Sequence, residues 1–149
     1  MNKVDYNQLA PIKEVHHVDA NELDERWLSL TEPTVFRGLV KQWQLVKVSQ
    51  QSTLHAQQYL ANFYNHKPVH TMYAPNDVNG RFFYSDDLTA FNFTRDNRPL
   101  DEVFDKINQQ TTSEKPDSYY VGSTSIDHIL PGFRAENDIG ILKNKPLIS

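Results

Sequence analysis

The 149-residue sequence contains no cysteine, which excludes disulfides, thiolate zinc sites, iron–sulfur clusters and cysteine nucleophiles. With only five glycines it has no glycine-rich phosphate-binding loop, and the serine-nucleophile pattern G-x-S-x-G is also absent. No run approaches the ~20 apolar residues that a membrane-spanning helix needs. Residues 1–10 lack the apolar core of a signal peptide. We therefore expect a cytoplasmic protein that does not contact the membrane.

Positive charge is also scarce. The formal net charge is −4, the isoelectric point is about 5.8, and the densest basic segment is Lys143 with Lys145 near the end of the sequence. A nucleic-acid groove needs clustered lysine and arginine, so none is expected here. What the sequence does have is 38% hydrophobic and 11% aromatic residues, enough for a folded domain with a core.

The order of hydrophobic patterns predicts a mixed α+β domain. Residues 1–11 read as a lead-in and residues 12–149 as the domain. Strands are predicted over 12–18, 34–40, 68–74, 81–84 and 119–122, and helices over 19–30, 52–62, 99–107 and 126–130. The turn residues of 75–80 predict that 68–74 and 81–84 form a hairpin. The phenylalanines at 82, 83, 91 and 93 are predicted to belong to the core.

Two histidine patterns have metal-ligand spacing. His17-Val18-Asp19 spells H-x-D, two of the three ligands of many non-haem iron sites, because alternate residues of a strand share a face. Asp19 is better explained as the N-cap of the following helix. His66 and His70 are four apart, but Pro68 between them argues against a helix, so a partly buried or surface role is the favoured interpretation.

The paired acids Asp86-Asp87 point to opposite faces of an extended chain, so a turn or helix-capping role is favoured over shared acid–base chemistry. Arg37 and Arg81 are each expected to pair with an acid in the fold, with an anionic ligand as the alternative. Residue composition and spacing thus predict no self-contained active site.

Several longer segments together resemble the bacterial cupin-like domain proteins, relatives of the JmjC hydroxylases and of the asparaginyl hydroxylase that inhibits hypoxia-inducible factor. These segments are E-P-T-V-F-R-G-L-V-K-Q-W (32–43), G-R-F-F-Y-S-D-D-L-T-A-F-N-F (80–93), Y-Y-V-G-S-T (119–124) and L-P-G-F-R-A-E-N-D (130–138). The resemblance extends over most of residues 12–149.

The resemblance implies N-terminal helices and strands that lead into a double-stranded β-helix, or jelly roll, which is incomplete in this chain. It also implies an oxygenase that uses Fe(II) and 2-oxoglutarate. In the family the H-x-D ligand pair follows the P-G-F-R-A-E-N-D region, and a further histidine comes later still. No residue here corresponds to these ligands. We therefore expect this chain to be the N-terminal part of such an oxygenase, to bind neither cofactor by itself and to be inactive alone.

Within the resemblance, Tyr84 and Tyr120 match places where related hydroxylases put hydroxyl-bearing side chains near the cosubstrate or substrate. They are the candidate cofactor-binding residues, and half-buried structural tyrosines are the alternative. The resemblance does not identify the substrate, which is a protein, an RNA or a small molecule in different relatives.

The alternative to a truncated oxygenase is a degenerate, non-catalytic cupin-like module for binding or dimerisation. Residues 139–149 are apolar and strand-like, as expected of a domain interrupted within a sheet. Such a domain exposes a sheet edge that can pair with a second copy, so a homodimer is an open alternative.

Overall fold

The computed structural model describes residues 10–20, 23, 24, 27 and 29–140, and the chain divides into two compact units. The first unit comprises residues 1–47 and 136–149, and the second comprises residues 48–135. The described residues form a mixture of helices and strands, in agreement with the α+β prediction. The strands of the described residues form one two-stranded and one three-stranded sheet and no closed barrel. None of the helices formed by these residues is long and apolar enough to cross a membrane.

The sheet of the first unit is parallel and consists of β1 (Lys13–His16) and β2 (Thr34–Arg37), both at predicted positions. The guanidinium of Arg37 donates two hydrogen bonds to the carboxylate of Glu14 on the neighbouring strand, at 3.0 and 2.5 Å. This fork lowers the pKa of Glu14 below its usual value, first through the hydrogen bond and then through the charge of Arg37. The predicted structural pairing of Arg37 is thus confirmed.

The segment after β2 turns at Gly38, whose φ of +75° lies in the left-handed region that glycine adopts without a steric penalty. Helix α1 (Gln44–Ser49) follows, and the sequence patterns did not predict it. The backbone N–H of Leu45, in its first turn, donates to the side-chain oxygen of the buried Asn137 at 2.9 Å. Asn137 belongs to the P-G-F-R-A-E-N-D segment. A residue of this motif therefore accepts a hydrogen bond from an N–H group in the first turn of a helix, where the N–H groups have no partner within the helix.

Five of the twelve residues in the helix predicted over 19–30 lie outside the described residues, and residues 23 and 24 within it are not helical. Trp27 is helical, and its ring packs edge-on against Phe36 of β2 with centroids 5.1 Å apart. The apolar segment 139–149 also lies outside the described residues, apart from residues 139 and 140.

The second unit is built on a three-stranded antiparallel sheet in which β3 is central. The strands are β3 (Val69–Ala74), β4 (Thr94–Arg98) and β5 (Ser118–Val121), in the order β4-β3-β5. The predicted strands at 68–74 and 119–122 are confirmed. Strand β4 was not predicted, because its sequence T-R-D-N-R has no apolar alternation.

Helices complete the second unit. They are α2 (Thr53–Ala61), α3 (Leu100–Asn108) and α4 (Ile126–Ile129), all close to their predicted positions. Short 3₁₀ turns occur at Asn76–Val78 and Phe133–Ala135. The core comes from the sheet, the helices and the last turn: Tyr64, Val69, Thr71, Ala74, Leu100, Val103, Ile129, Leu130 and Phe133. Helix α3 buries Leu100 and Val103, whereas Ile107 near its end is 38% exposed.

Helix α3 begins after Pro99, which has no side chain able to cap it. The hydroxyl of the buried Tyr64 takes that role: it accepts a hydrogen bond from the N–H of Leu100 at 2.9 Å and donates one to the carbonyl of Lys67 at 2.7 Å. A second polar contact joins α2 to α3, where Asn108 donates to the buried Gln57 at 2.8 Å. Both contacts satisfy polar groups inside the unit.

The predicted pairing of 81–84 with the strand at 68–74 is wrong. Tyr84 instead forms an isolated bridge with Phe91, and the N–H of Asn92 donates to the carbonyl of Phe83 at 2.9 Å. The side chain of Asn92 accepts from the N–H of Phe83 at 2.8 Å and donates to the carbonyl of Arg81 at 2.9 Å. Because Asn92 bonds to the backbone of residues 81 and 83, this segment forms a hairpin over residues 83–92. The next strand along the chain, β4, pairs with β3 in its place.

Candidate functional site

The two tyrosines singled out in the sequence lie at the two ends of one row of rings in the second unit. Tyr84 stacks on Phe91 with centroids 5.1 Å apart, Phe91 packs on Phe93 at 4.9 Å, Phe93 contacts Phe82 at 5.5 Å, and Phe82 reaches Tyr120 at 6.1 Å. We call these five residues the aromatic row. The structure thus connects Tyr84 and Tyr120 through three phenylalanines rather than placing them in one cavity.

The register of the sheet fixes the Tyr120 end of the row. Met72 of β3 lies opposite Tyr120 on one side and opposite Arg95 on the other. Residues directly opposite one another in antiparallel strands project from the same face, so these three side chains share a face. The guanidinium of Arg95 lies 4.5 Å from the centre of the Phe91 ring and 5.4 Å from that of Phe93. The aromatic row therefore extends from this face of the sheet to the hairpin of residues 83–92, which carries Tyr84 and Phe91.

The aromatic row is far more exposed than the predicted core role allows. Tyr84 and Tyr120 are each about half exposed, at 49% and 50%, and Phe91 is 45% exposed. Phe83, which packs edge-on against Tyr84, is 48% exposed. The core prediction fails for Phe83 and Phe91, and only Phe82 and Phe93 are half-buried. Exposed apolar surface that is contiguous marks a place of interaction more often than scattered residues do.

An open cleft of about 500 Å³ adjoins the Tyr84 end of the row. Its lining includes Arg81, Phe83, Tyr84, Asp86 and Leu88. The guanidinium of Arg81 lies 4.9 Å from the centre of the Phe83 ring. Arg81 makes no ion pair with any of the residues that the structure describes, so the predicted pairing with an acid is wrong for Arg81.

The tip of the hairpin is held by Asp87. Its carboxylate accepts hydrogen bonds from the hydroxyl of Ser85 at 2.6 Å and from the N–H and hydroxyl of Thr89 at 3.1 and 2.9 Å. These bonds, that from Ser85 foremost, lower the pKa of Asp87. The turn role predicted for this acidic pair is confirmed for Asp87. The tip also holds Leu88 in a left-handed conformation, φ 59°, with 68% of the residue exposed at the cleft.

At the Tyr120 end a second groove, of about 630 Å³, runs beside β5. It is lined by Phe82 and Tyr120 of the row and by Ile107, Pro116 and Tyr119 among others. Burial is the first cause that raises the pKa of Tyr119, and the negative charge of Asp117 is the second.

Asp117 also fixes the neighbouring turn. Its carboxylate accepts from the hydroxyl of Tyr73 at 3.1 Å and from the N–H of Asn76 at 3.0 Å. The hydrogen bond to Asp117 is the main cause of a raised pKa of Tyr73. The carboxylate of Asp117, which lines the groove beside β5, is therefore already hydrogen-bonded to other residues of the unit.

Neither histidine pattern has the strand geometry on which its metal-site interpretation depends. β1 ends at His16, and His17 has a left-handed φ of 63°, so the same-face argument for His17 and Asp19 does not hold. His66 also has a left-handed φ, 62°, and precedes β3, whereas His70 lies within β3. No three His, Asp or Glu side chains among the described residues come together as a ligand group.

Comparison with known families assigns the chain to one of them. The model of the cupin-like domain family matches residues 20–146, which is most of the sequence, so the chain belongs to the cupin-like domain family. No curated protein and no solved structure matches it at a significant level. The match spans both units and includes the whole aromatic row.

Proposed function

We propose that the chain is the N-terminal part of a cupin-like Fe(II)/2-oxoglutarate-dependent oxygenase and that, in contrast to the expectation from the sequence, its cleft beside Tyr84 binds a carboxylate ligand, with 2-oxoglutarate as the leading candidate. The observation that carries the proposal is Arg81: a cation without an acidic partner among the described residues, held on a ring at an open cleft. The proposal is also supported by the family, because the cupin-like domain match over residues 20–146 includes Arg81.

Arg81 has the chemistry that a carboxylate needs. A guanidinium that rests on an aromatic face keeps its N–H donors in its own plane, where they match the two oxygens of a carboxylate. The hydroxyl of Tyr84, which also lines the cleft, adds a neutral donor. The side chains of Phe83 and Leu88 line the same cleft and give it apolar surface beside these donors.

The part assigned to this chain is binding and shielding, not the oxidation step. In oxygenases of this class the bound iron activates dioxygen at the expense of 2-oxoglutarate. The residues that the structure describes do not fit that metal, because no group of three ligand side chains is present among them. Arg81 and Tyr84 are therefore proposed to hold a ligand and to take no part in the oxidation step.

The binding proposal is tested by titrating 2-oxoglutarate into the purified chain and following backbone amide resonances. We expect shifts confined to the cleft residues, and we expect Arg81→Gln to weaken binding by about tenfold or more, since a hydrogen bond to a charged group contributes ~1.5–3 kcal/mol. Tyr84→Phe should weaken it less. Arg95→Gln is the matched control, because Arg95 likewise rests on an aromatic ring but does not line the cleft. Absence of shifts at millimolar ligand would contradict the proposal.

The oxygenase proposal is tested separately. Reading the coding DNA beyond the codon of Ser149 should show an H-x-D pair and a later histidine in the same frame. The whole frame, supplied with Fe(II), should then form succinate from 2-oxoglutarate, and the 149-residue chain alone should form none. Succinate from the 149-residue chain, or a stop codon directly after Ser149, would argue against this assignment.

A non-catalytic binding or dimerisation module is the second candidate function. The observation that favours it is the outer edge of β5, which pairs with no strand of the described residues and lies beside the groove lined by Tyr119 and Tyr120. A chain that binds no 2-oxoglutarate but associates through this edge would fit that function.

A further inference from the structure

Two acids line the proposed carboxylate site, and the binding of a carboxylate there does not explain them. They are Asp77, in the 3₁₀ turn Asn76–Val78, and Asp86, in the hairpin of residues 83–92. Both residues are exposed. Neither carboxylate has a hydrogen-bond or ion-pair partner in the part of the chain that the structure describes. Both are therefore available to a ligand in the cleft.

The acidic pair in the hairpin shows that the fold uses one of these neighbours and not the other. The carboxylate of Asp87 accepts hydrogen bonds from Ser85 and Thr89, and Asp87 does not line the cleft. Asp86 lines the cleft and takes no part in these bonds. Asp87 therefore holds the tip of the hairpin, whereas Asp86 contributes its charge to the cleft.

The charges of the cleft are separated from one another. Arg81 supplies one positive charge, Asp77 and Asp86 supply two negative charges, and the other lining side chains are neutral. Arg81 makes no ion pair with either acid, so the opposite charges do not neutralise each other within the cleft. A ligand carboxylate at Arg81 leaves both acids without a compensating positive charge. Electrostatic complementarity therefore favours a ligand whose far end is positive rather than negative.

We propose that this cleft also binds amino-carboxylates, small molecules with a carboxylate at one end and an ammonium group at the other, and that they compete there with 2-oxoglutarate. The carboxylate bonds to Arg81, and the ammonium group lies beside Asp77 and Asp86. The methylene chain between them packs on Phe83 and Leu88, which give the cleft apolar surface. The inference rests on the proposed binding of a carboxylate at Arg81.

A dicarboxylate makes only part of these contacts. Its first carboxylate bonds to Arg81, but its second lies among charges of the same sign, which repel it. An amino-carboxylate of the same length is attracted at both ends. Asp77 and Asp86 are thus specificity-determining residues, which admit 2-oxoglutarate but favour a ligand with separated opposite charges.

The test compares three probes that share one carbon chain: glutarate, pentanoate and 5-aminopentanoate. Each has a carboxylate for Arg81, and the far end is a carboxylate, a methyl or an ammonium group. Their affinities are measured from the backbone amide resonances of the 149-residue chain. 5-Aminopentanoate should bind most tightly and glutarate most weakly, with each step about two- to fivefold, the effect of an exposed charge pair. 5-Aminopentanoate should also reverse the shifts that 2-oxoglutarate causes.

Two variants test the assignment of the acids. Asp77→Asn and Asp86→Asn each remove one negative charge and keep the size of the side chain. Each should weaken 5-aminopentanoate and strengthen glutarate by about two- to fivefold, and leave pentanoate unchanged. Asp127→Asn is the matched control, because Asp127 is an exposed acid of the same unit that does not line the cleft. Circular dichroism checks that every variant folds.

The outcomes separate this inference from the proposed function. Opposite changes for glutarate and 5-aminopentanoate in both variants, absent from the control, support it. Equal affinities of the three probes, or variants in which the two charged probes do not move in opposite directions, overturn it and leave carboxylate binding at Arg81 standing. Failure of all three probes to bind, or affinities that Arg81→Gln leaves unchanged, overturns the carboxylate site and this inference together.

Discussion

Replacing Tyr64 by phenylalanine should destabilise the second unit more than any other loss of a tyrosine hydroxyl described above. Among the described residues, the Tyr64 hydroxyl is the one side-chain group that accepts from the N–H of Leu100 at the start of α3, and both residues are buried, at 7% and 9% exposure. Pro99 has no side-chain cap to take over. The carbonyl of Lys67, the other partner, belongs to an exposed residue and can bond to water.

The expected loss follows from these contacts. A buried donor left without its partner costs ~1–3 kcal/mol, and since water can replace only the Lys67 contact, we expect a loss of about 1–2 kcal/mol. With a urea m-value of about 2 kcal/mol/M, the midpoint of unfolding should fall by roughly 0.5–1 M. The measurement is urea denaturation followed by circular dichroism, with the m-value compared between variants.

The matched control is Tyr119→Phe. Tyr119 is a half-buried tyrosine of the same unit, and its hydroxyl has no hydrogen-bond partner among the described residues. Its loss should change the stability by no more than ~0.5 kcal/mol. Equal shifts for both variants, or an unchanged midpoint for Tyr64→Phe, would refute the assignment of Tyr64 as the tertiary cap of α3.

Three further predictions concern pH and strain. The pKa of Glu14 is lowered in the folded state, so its contribution is complete above the unfolded value of about 4.3 and is lost as the pH falls through the folded value. The urea midpoint should therefore fall on acidification in the wild type and less so in Glu14→Gln; parallel pH profiles would contradict this. The pKa of Tyr73 is raised, so its contribution is present below about 10 and is lost as the pH rises through the folded value. Ultraviolet titration of the phenols should lose a late-ionising group in Tyr73→Phe, and an unchanged curve would count against the bond to Asp117. Leu88→Asn should raise stability by about 0.5–1 kcal/mol, because asparagine tolerates the left-handed region better than leucine. A lower urea midpoint for this variant would show that the Leu88 side chain has a stabilising role.

Hydrophobic periodicity predicts the helices and strands that bury one face and expose the other. Helix α3 and strand β3 are examples: each buries one set of side chains, and each was found close to its observed bounds. Strand β4 was missed because all but one of its residues are exposed, so no apolar pattern marks it, and its place is set by hydrogen bonds to β3. An edge strand of this kind is defined by its partner rather than by its own sequence.

The aromatic row shows a different limit. The phenylalanines at 82, 83, 91 and 93 have the composition of a core, but the hairpin that carries them is closed by Asn92 and Asp87. A polar side chain that hydrogen-bonds to backbone groups, as Asn92 does, cannot be recognised from the pattern of hydrophobic residues. The resemblance to the cupin-like family identified Tyr84 and Tyr120 together, yet neither it nor periodicity indicated that three rings connect them.

Strand β5 alternates between residues that hydrogen-bond to β3 and residues that face away from it, counted from the N–H of Gly122, which donates to the carbonyl of His70 at 2.8 Å. This alternation determines how fast its amide protons exchange with solvent. The N–H of Tyr120 bonds to β3 and exchanges only when the sheet opens, whereas those of Tyr119 and Val121 face away from β3 and need no opening. Hydrogen exchange along this strand should therefore run slow at one residue and fast at both of its neighbours. Pairing of this edge with any further strand would erase that pattern by protecting the two fast amides.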